Sequence, residues 1–229
     1  MTVKSPRRAG GRSARRSARA APLADHLRPV YAGMSGGAYL PLSADGMHRI
    51  HQAVLDVLEN IGLADAPESG IEYMKYAGAS LGADGRLRFP RSLIEDTIAA
   101  ANRSITLYSR DGKNDLDLSG SKVHYGTAGA AVHVVDIEGR NYRESTVQDL
   151  FDAARLVDKL DNIHFLQRPM VCRDIRDNRE MELNTLYTCC AGTTKHVGVS
   201  FAEQTFATDG FKLLHMIAGG EEKWRERPF

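Results

Sequence analysis

Three side chains near the start of the chain have the types and spacing of a metal site. Asp45, His48 and His51 recur at intervals of three residues, which places them close together on a helix. Imidazole nitrogens and carboxylate oxygens are common zinc ligands. More often such residues form a partly exposed helix surface, and an acid in the first helical turn is favoured by the helix dipole alone. We therefore predict that no metal ion is bound.

A short glycine-containing segment, Gly126-Thr127-Ala128-Gly129, could in principle hold a phosphate group. It lacks the GxGxxG and GxxxxGK patterns, and no strong helix pattern follows it directly. Close backbone packing is the predicted reason for its glycines. No Ser-His-Asp or Cys-His arrangement can be argued from spacing, so no catalytic residue is assigned. Three cysteines, two of them adjacent, predict reduced thiols and a cytoplasmic protein.

The first 22 residues form a basic arm with seven Lys and Arg residues and no acid. Such an arm could bind nucleic-acid phosphates. No aromatic side chain lies among its arginines to stack on bases, so nucleic-acid binding is not favoured. A disordered or loosely docked tail is the predicted state of residues 1–22. The remaining residues hold 23 basic and 29 acidic side chains, which describes a mildly acidic body.

The composition excludes several classes of protein. Hydrophobic residues make up 42% and charged residues 26%, which is ordinary for a globular domain. No run approaches the roughly 18–20 apolar residues of a membrane span, so we predict no membrane association. Arginine and alanine alternate where a secretory signal would need an apolar segment.

The elements that must position any site fall into two regions. Residues 23–120 predict an extension of helices and short strands, with helices near 44–61, 67–77 and 91–101. Ser43 is the predicted N-cap of the first helix and Gly62 its stop. Short strand-like runs, several of them separated by turn dipeptides, follow from about Ile105 to Arg143.

The region 121–229 reads as alternating helices and strands. Ser145-Thr-Val-Gln148 fits a capping box for a helix to about Leu160. Strands at 163–167 and 196–200 and helices at 179–190 and 206–218 follow, so the strands should be parallel and adjacent. About three strand–helix units are present, whereas a closed (β/α)8 barrel needs eight units and about 250 residues. The chain is therefore expected to be the first part of a larger α/β protein.

Three stretches then point to a family. They are Tyr125–Asp136 (YGTAGAAVHVVD), Ser145–Leu150 (STVQDL) and Ala154–His164 (ARLVDKLDNIH), and together they resemble the trimethylamine methyltransferase (MttB) superfamily. The basic arm, the helix at 44–61 and the segment Arg88-Phe-Pro-Arg91 are similar to its members as well. The resemblance covers nearly all of this chain but only about the first half of a family member.

This resemblance implies a fold and a reaction. The fold class is α/β, with an N-terminal helical and β extension followed by the first part of a TIM (β/α)8 barrel that is incomplete in this chain. The family transfers a methyl group from a methylamine or quaternary amine to the Co(I) corrinoid of a separate protein. No cofactor is then bound directly, the partners are a corrinoid protein and a small methylated amine, and the full-length protein is expected to be a homo-oligomer. The resemblance leaves open both the identity of the amine and whether pyrrolysine is used.

Barrel enzymes place their active sites at the carboxyl ends of the strands. Those ends carry Tyr125-Gly126, Gln167-Arg168 and Phe201, which are the predicted substrate-binding residues. An Arg fork suits a betaine carboxylate, and aromatic faces hold quaternary ammonium groups. Arg168 could instead form a structural ion pair or a rim contact, and Tyr125 and Phe201 could be ordinary packing residues.

Two other functions stay open at this point. The chain could be a non-catalytic half-barrel that acts as a remnant or assembly partner, or a nucleic-acid binder that works through its arm. With about five of the eight strand–helix units missing, the chain alone is expected to be inactive.

Overall fold

The computed structural model describes residues 11–21 and 27–229 of the 229-residue chain. Its helices are α1 (Arg12–Ala20), α2 (Ala44–Asp56), α3 (Glu68–Tyr76), α4 (Arg91–Ala100), α5 (Val147–Lys159), α6 (Asn178–Gly192), α7 (Gln204–Ala218) and α8 (Glu221–Glu226). Its strands are β1 (Met34–Ser35), β2 (Ser80–Leu81), β3 (Leu87–Arg88), β4 (Thr106–Leu107), β5 (Leu116–Asp117), β6 (Lys122–Val123), β7 (His133–Val135), β8 (Tyr142–Glu144), β9 (Leu166–Gln167) and β10 (Val197–Gly198). Within the described ranges no helix has both the length and the apolar character needed to cross a bilayer.

Helix α1 lies where the sequence predicted no regular element. Alanine and arginine are both strong helix formers, which explains a helix in a segment with no apolar stripe. Residues 1–10 and 22–26 lie outside the described residues. The predicted disordered or loosely docked arm stays a prediction there.

The chain divides into two compact units. One, called the extension unit, comprises Ser35–Leu107 and Asp115–Val123. The other, called the parallel unit, comprises Tyr108–Asn114, His124–Phe229 and the described residues up to Met34. The division into residues 1–22, 23–120 and 121–229 stays a prediction.

Helix α2 of the extension unit begins and ends as its sequence predicts. The Ser43 hydroxyl accepts the N–H of Gly46 at 3.0 Å, and the chain leaves the helix at Gly62 with a φ of 75°. The last turn, Val57–Ile61, is π-helical rather than α-helical. Two features require a glycine at position 62. Its φ is positive, and a Cβ there would overlap the carbonyl oxygen of Leu87.

The apolar stripe of this helix does not form the core of the extension unit. Leu55 is buried on α2, and Leu58 packs against a cluster formed by Ala79, Leu87 and Phe89. The other apolar positions of the stripe remain 46–52% exposed; they are Met47, Ile50, Val54, Val57 and Ile61. Helical periodicity therefore predicts the element correctly but does not identify which apolar side the unit buries.

Three parallel backbone segments form the centre of the parallel unit. Strands β9 and β10 pair in parallel, with Val197 opposite Leu166 and Gly198 opposite Gln167. Single parallel bridges join Gly126 to Phe165 and Ala131 to Met170, which adds the segment around Gly126 on the other side. The predicted parallel, adjacent arrangement is confirmed. The described residues form no closed barrel.

Helices α5 and α6 cover one face of these segments. Leu150, Ala154 and Val157 of α5 and Cys189 of α6 pack with Leu166 of β9 into a buried cluster. Burial of such side chains stabilises the unit by about 1.5–3 kcal/mol for each large apolar residue. This packing determines which face of β9 the helices cover.

The cap of α5 lies one residue later than predicted. Thr146, not Ser145, is the N-cap, and its hydroxyl accepts the Asp149 N–H while the Asp149 carboxylate accepts the Thr146 N–H. Ser145 is instead fully buried, with its hydroxyl 2.7 Å from the Val171 carbonyl oxygen. A buried hydroxyl must find a buried partner, and this requirement overrides the local sequence pattern.

The capping box gives the first testable expectation. Asp149 also accepts two hydrogen bonds from Arg143, both at 2.7 Å. Asp149→Ala removes both these bonds and the carboxylate half of the capping box, so we expect a loss of about 1–2 kcal/mol and a melting temperature lower by about 2–8 °C. Gln148→Ala, at the neighbouring exposed position, should leave the melting temperature nearly unchanged. Thermal circular dichroism of both variants checks this, and equal melting curves would contradict it.

Candidate substrate-binding site

The carboxyl ends of the parallel segments meet at one edge, called here the strand-end edge and made of Gly126–Thr127, Gln167–Arg168 and Ser200–Phe201. The Arg168 N–H donates to the Gly198 carbonyl at 2.9 Å. The Thr127 hydroxyl donates to the Gln167 carbonyl at 2.5 Å. The fold therefore brings together Gly126, Gln167 and Arg168, which the sequence predicted separately.

Gln167 and Arg168 lie on opposite faces of β9. Side chains alternate along a strand, so Arg168 shares the face of Leu166, which is packed against the helices. Gln167 shares the other face with Phe165, called here the inner face. The sequence alone gave no means of separating the two.

Arg168 has no carboxylate within 4.0 Å among the described residues. The structural ion pair that could explain this arginine is therefore not found. Its charge acts instead on the buried thiol of Cys189. Burial and the neighbouring thiols raise the pKa of Cys189 to about 12, and the positive charge of Arg168 opposes that rise. A partly buried arginine without a counter-ion at a strand end is available to an anionic group.

Tyr125 is 46% exposed, and its backbone is fixed by a buried histidine. The Tyr125 N–H donates to Nδ1 of His164 at 2.9 Å, and the two rings are 6.0 Å apart. His164 is 4% exposed, and burial lowers its pKa, helped by the charges of His124 and Lys195. His164 is therefore a neutral core residue that positions the backbone of Tyr125.

Phe201 and Gly126 are explained by packing. The Phe201 ring lies against Gly210 of α7, where a Cβ would be 3.0 Å from Cε1 of the ring. The Phe165 ring occupies the space beside Gly126 in the same way. The packing interpretation of Gly126 is confirmed, whereas Gly129 has open space around it and is a glycine for its φ of 106°. The substrate-binding roles of these residues stay predictions.

A buried carboxylate that the sequence analysis missed lies beside this edge. Glu182 of α6 is 7% exposed, and its two oxygens accept the Ala202 N–H at 3.1 and 3.2 Å. Ala202 precedes α7, so the carboxylate also lies near the positive end of that helix. Glu182 thereby fixes the segment that follows β10. The available signal was its helical spacing with Leu186 and Cys189, which places it on the buried side of α6.

The opposite end of the strands is closed by a polar network. Lys195 is 6% exposed, and its ammonium donates to the carbonyls of Val157, Leu160 and Ile163 at 2.6–2.7 Å. Asp158 accepts the Thr194 N–H at 2.9 Å and lies 3.1 Å from each of two threonine hydroxyls. These contacts tie the end of α5 to the start of β10.

The hydrogen bonds that Asp158 accepts predict that the stability of the fold decreases at acidic pH. Burial alone would raise the pKa of Asp158, but the Thr194 N–H, Lys159 and the threonine hydroxyls lower it to about 2. A carboxyl whose pKa is lower in the folded state stabilises that state above its unfolded pKa, near 3.8, and loses the contribution as pH falls towards 2. We expect the melting temperature of Asp158→Asn to fall less steeply than wild type between pH 4 and 2. Parallel slopes would contradict this.

One of the two histidines of the first candidate site, His51, is paired with a residue outside that site. Nε2 of His51 lies 2.9 Å from the Glu95 carboxylate, which ties α2 to α4. In the described part of the chain, no group of three or more His, Cys, Asp and Glu side chains is arranged to hold a metal ion.

Comparison with known proteins identifies the family. The family model for trimethylamine methyltransferase (MTTB) matches residues 8–229. The chain is 29% identical over 198 residues to the trimethylamine methyltransferase MttB of Desulfitobacterium hafniense, covering 86% of this chain and 40% of that protein. It is 28% identical over 158 residues to MttB1 of Methanosarcina acetivorans, covering 67% of this chain and 32% of that protein.

A relative with a different substrate in its name matches over a similar length. The glycine betaine methyltransferase of Desulfitobacterium hafniense is 24% identical over 191 residues, covering 83% of this chain and 39% of that protein. The chain thus spans about a third to two fifths of the length of these curated relatives. Because the family model extends over almost all of the sequence, the chain belongs to the trimethylamine methyltransferase (MTTB) family.

Proposed function

We propose that this chain carries the first strand–helix units of a TIM-barrel methyltransferase that moves a methyl group from trimethylamine or a betaine-type quaternary amine to a corrinoid held by a partner protein. The names of its relatives support both substrate classes. Parallel segments covered by α5 and α6 are what such a barrel would contain. The three unpaired, buried cysteines suit a cytoplasmic location.

The chemistry determines what the protein must supply. In a betaine-type substrate the quaternary nitrogen has no lone pair, so protonation cannot improve the leaving group, and the amine departs with the electrons of the C–N bond that breaks. When bound, the corrinoid supplies a nucleophilic cobalt that accepts the methyl group. The residues of this chain are left with holding the substrate, aligning its methyl group and excluding water.

The single observation that carries the proposal is the state of Arg168. It lies at a strand end with no carboxylate partner in the described ranges, and its guanidinium can hold a betaine carboxylate through two hydrogen bonds. The exposed ring of Tyr125 on the neighbouring segment offers a face for the trimethylammonium group, worth about 0.5–2 kcal/mol. A carboxylate-bearing methylated amine is therefore the substrate class that these two residues fit best.

The test is binding followed by transfer. We expect the 229-residue chain to bind glycine betaine in a methyl-resonance NMR titration, and Arg168→Ala to weaken that binding. Arg179→Ala, which breaks an exposed pair with Asp209, is the matched control. If wild type and Arg168→Ala bind equally, the strand-end edge is not the site.

A second expectation concerns turnover. With a reduced corrinoid protein and glycine betaine or trimethylamine, this chain alone should transfer no methyl group, because most active-site loops of the proposed barrel lie outside it. Methyl transfer by this chain alone, measured with labelled substrate, would contradict the assignment of its strands to the first barrel units.

One observation favours a second candidate function, that of a non-catalytic assembly partner. The half-exposed apolar positions of α2 and of the π-helical turn after it recur at spacings of three and four residues, from Met47 to Ile61, as in helices that pack on another helix. Light scattering of wild type and Val54→Glu distinguishes the assembly function from the catalytic one. Self-association that Val54→Glu abolishes, together with no glycine betaine binding, would favour assembly over catalysis.

A further inference from the structure

His164 and Tyr125 are joined by two reciprocal hydrogen bonds, one of which uses the imidazole ring. The His164 N–H donates to the Tyr125 carbonyl at 2.6 Å. The Tyr125 N–H in turn donates to Nδ1 of the His164 ring at 2.9 Å. A backbone N–H can only donate, so Nδ1 is the unprotonated nitrogen and Nε2 carries the proton of the neutral ring.

The other ring nitrogen, Nε2, is buried and has no hydrogen-bond partner among residues 11–21 and 27–229. The remaining contacts of the ring are aromatic, with His124 at 5.9 Å and Tyr125 at 6.0 Å between centroids. A buried polar atom without a partner is rare in folded proteins. The bond from the Tyr125 N–H is therefore the one hydrogen bond that defines where the His164 ring lies in the described part of the chain.

The groups around the ring disfavour its charged form. His124 lies on the preceding segment and Lys195 at the start of β10, and both are basic. Burial lowers the pKa of His164 below its ordinary value of 6.5, and the charges of His124 and Lys195 lower it further. The carboxylates of this region, Asp158 and Asp161, act on Lys195 and not on His164.

Protonation of the ring would end its contact with the Tyr125 backbone. A second proton can go only to Nδ1, because Nε2 already carries one. Nδ1 would then present a second donor to the Tyr125 N–H, and a charged ring would be buried without an acceptor. The segment that contains Tyr125 must separate from the start of β9 to relieve this arrangement, and the Tyr125 ring moves with it.

We propose that His164 is a positioning residue that makes ligand binding at the strand-end edge depend on pH: its neutral ring holds the Tyr125 backbone so that the Tyr125 ring can receive a methylated ammonium group, and protonation at Nδ1 releases it. The inference rests on the proposed function and adds a regulation of the same site. Because the pKa of the folded state lies below 6.5, binding should be complete at neutral pH and should weaken as pH falls through that lower pKa.

The experiment is an NMR titration of the isotope-labelled 229-residue chain with glycine betaine, whose charge is constant between about pH 7.5 and 4. Wild-type affinity should fall by up to about tenfold for each pH unit below the folded pKa of His164, and the Tyr125 amide resonance should shift with the same midpoint. His164→Asn keeps an acceptor in place of Nδ1 but cannot be protonated, so its affinity should change by less than about 2-fold over this range. His48→Asn removes an exposed histidine of α2 and should keep the wild-type pH dependence.

Tyr125→Ala tests whether His164 acts through the Tyr125 ring. This variant should bind glycine betaine roughly 2- to 30-fold more weakly at neutral pH, as for one lost aromatic contact with a cation. Its remaining affinity should no longer depend on the protonation of His164. Adding His164→Asn to Tyr125→Ala should therefore change neither the affinity nor its pH profile, because both substitutions act through one group.

The outcomes separate this inference from the proposed function. If wild type binds glycine betaine with an affinity that is constant over the range, or if His164→Asn keeps the wild-type pH profile, the proposed function stands and the role of His164 is overturned. A Tyr125 amide midpoint that differs from the affinity midpoint overturns it without any variant. So does a loss of affinity that coincides with unfolding, which circular dichroism measures at each pH. If wild type does not bind glycine betaine at neutral pH, the proposed function fails, and the role of His164 in binding fails with it.

Discussion

Lys195→Ala is expected to lower the melting temperature by about 5–15 °C. The ammonium is buried and donates to three backbone carbonyls, at the end of α5 and in the turn that leads to β9. Removing it takes this donor from the Ile163 carbonyl and one of two donors from the carbonyls of Val157 and Leu160, which also accept backbone N–H groups, at a cost of about 2–5 kcal/mol in total. For a chain of this size each kcal/mol shifts the melting temperature by about 2–4 °C.

Two further variants test whether the lost hydrogen bonds cause the lower melting temperature of Lys195→Ala. Lys195→Met keeps most of the buried stem but donates nothing, so it should be nearly as unstable as Lys195→Ala. Lys113→Ala removes a lysine that is 81% exposed and should shift the melting temperature by less than about 2 °C. If Lys195→Met melts like wild type, packing of the stem, and not its hydrogen bonds, stabilises this end of the sheet.

The sequence predicted most elements because their signals are local. Ser43 and Gly62 bound the helical run that starts with α2 through their own hydrogen-bonding and φ preferences, which need no tertiary information. The shift of the α5 cap from Ser145 to Thr146 could not be predicted, because it depends on the carbonyls of Ala131 and Val171 lying beside Ser145. Burial of Ser145 against residues distant in the sequence therefore determines which of the two hydroxyl side chains, Ser145 or Thr146, caps α5.

The sequence predicted the edge of the sheet at which the candidate site lies, but not the face of the strand on which each side chain lies. The alternation of helices and strands indicates parallel neighbours, and their carboxyl ends then meet. Which face each side chain takes depends on register, and a shift of one residue would exchange Gln167 and Arg168. Glu182 escaped prediction because a glutamate on a helix is ordinarily exposed, and its partner, the Ala202 N–H, is distant in sequence.

Arg168→Ala should weaken carboxylate-bearing substrates by roughly 10- to 150-fold in an active methyltransferase that contains this chain. The reason is the loss of a charge-assisted, bidentate contact, worth about 1.5–3 kcal/mol. Trimethylamine, which has no carboxylate, should be affected little. Arg168→Lys should recover only part of the affinity, because an ammonium cannot reproduce the planar fork.

Stability provides the control for this last expectation. Because Arg168 has no carboxylate partner among residues 11–21 and 27–229, its replacement should leave the melting temperature within about 2 °C of wild type. A rim contact would behave differently, since its loss would lower stability and reduce kcat/KM equally for every substrate. Melting curves measured together with kcat/KM for glycine betaine and trimethylamine therefore decide the role of Arg168, and equal losses on both substrates would remove it from the binding site.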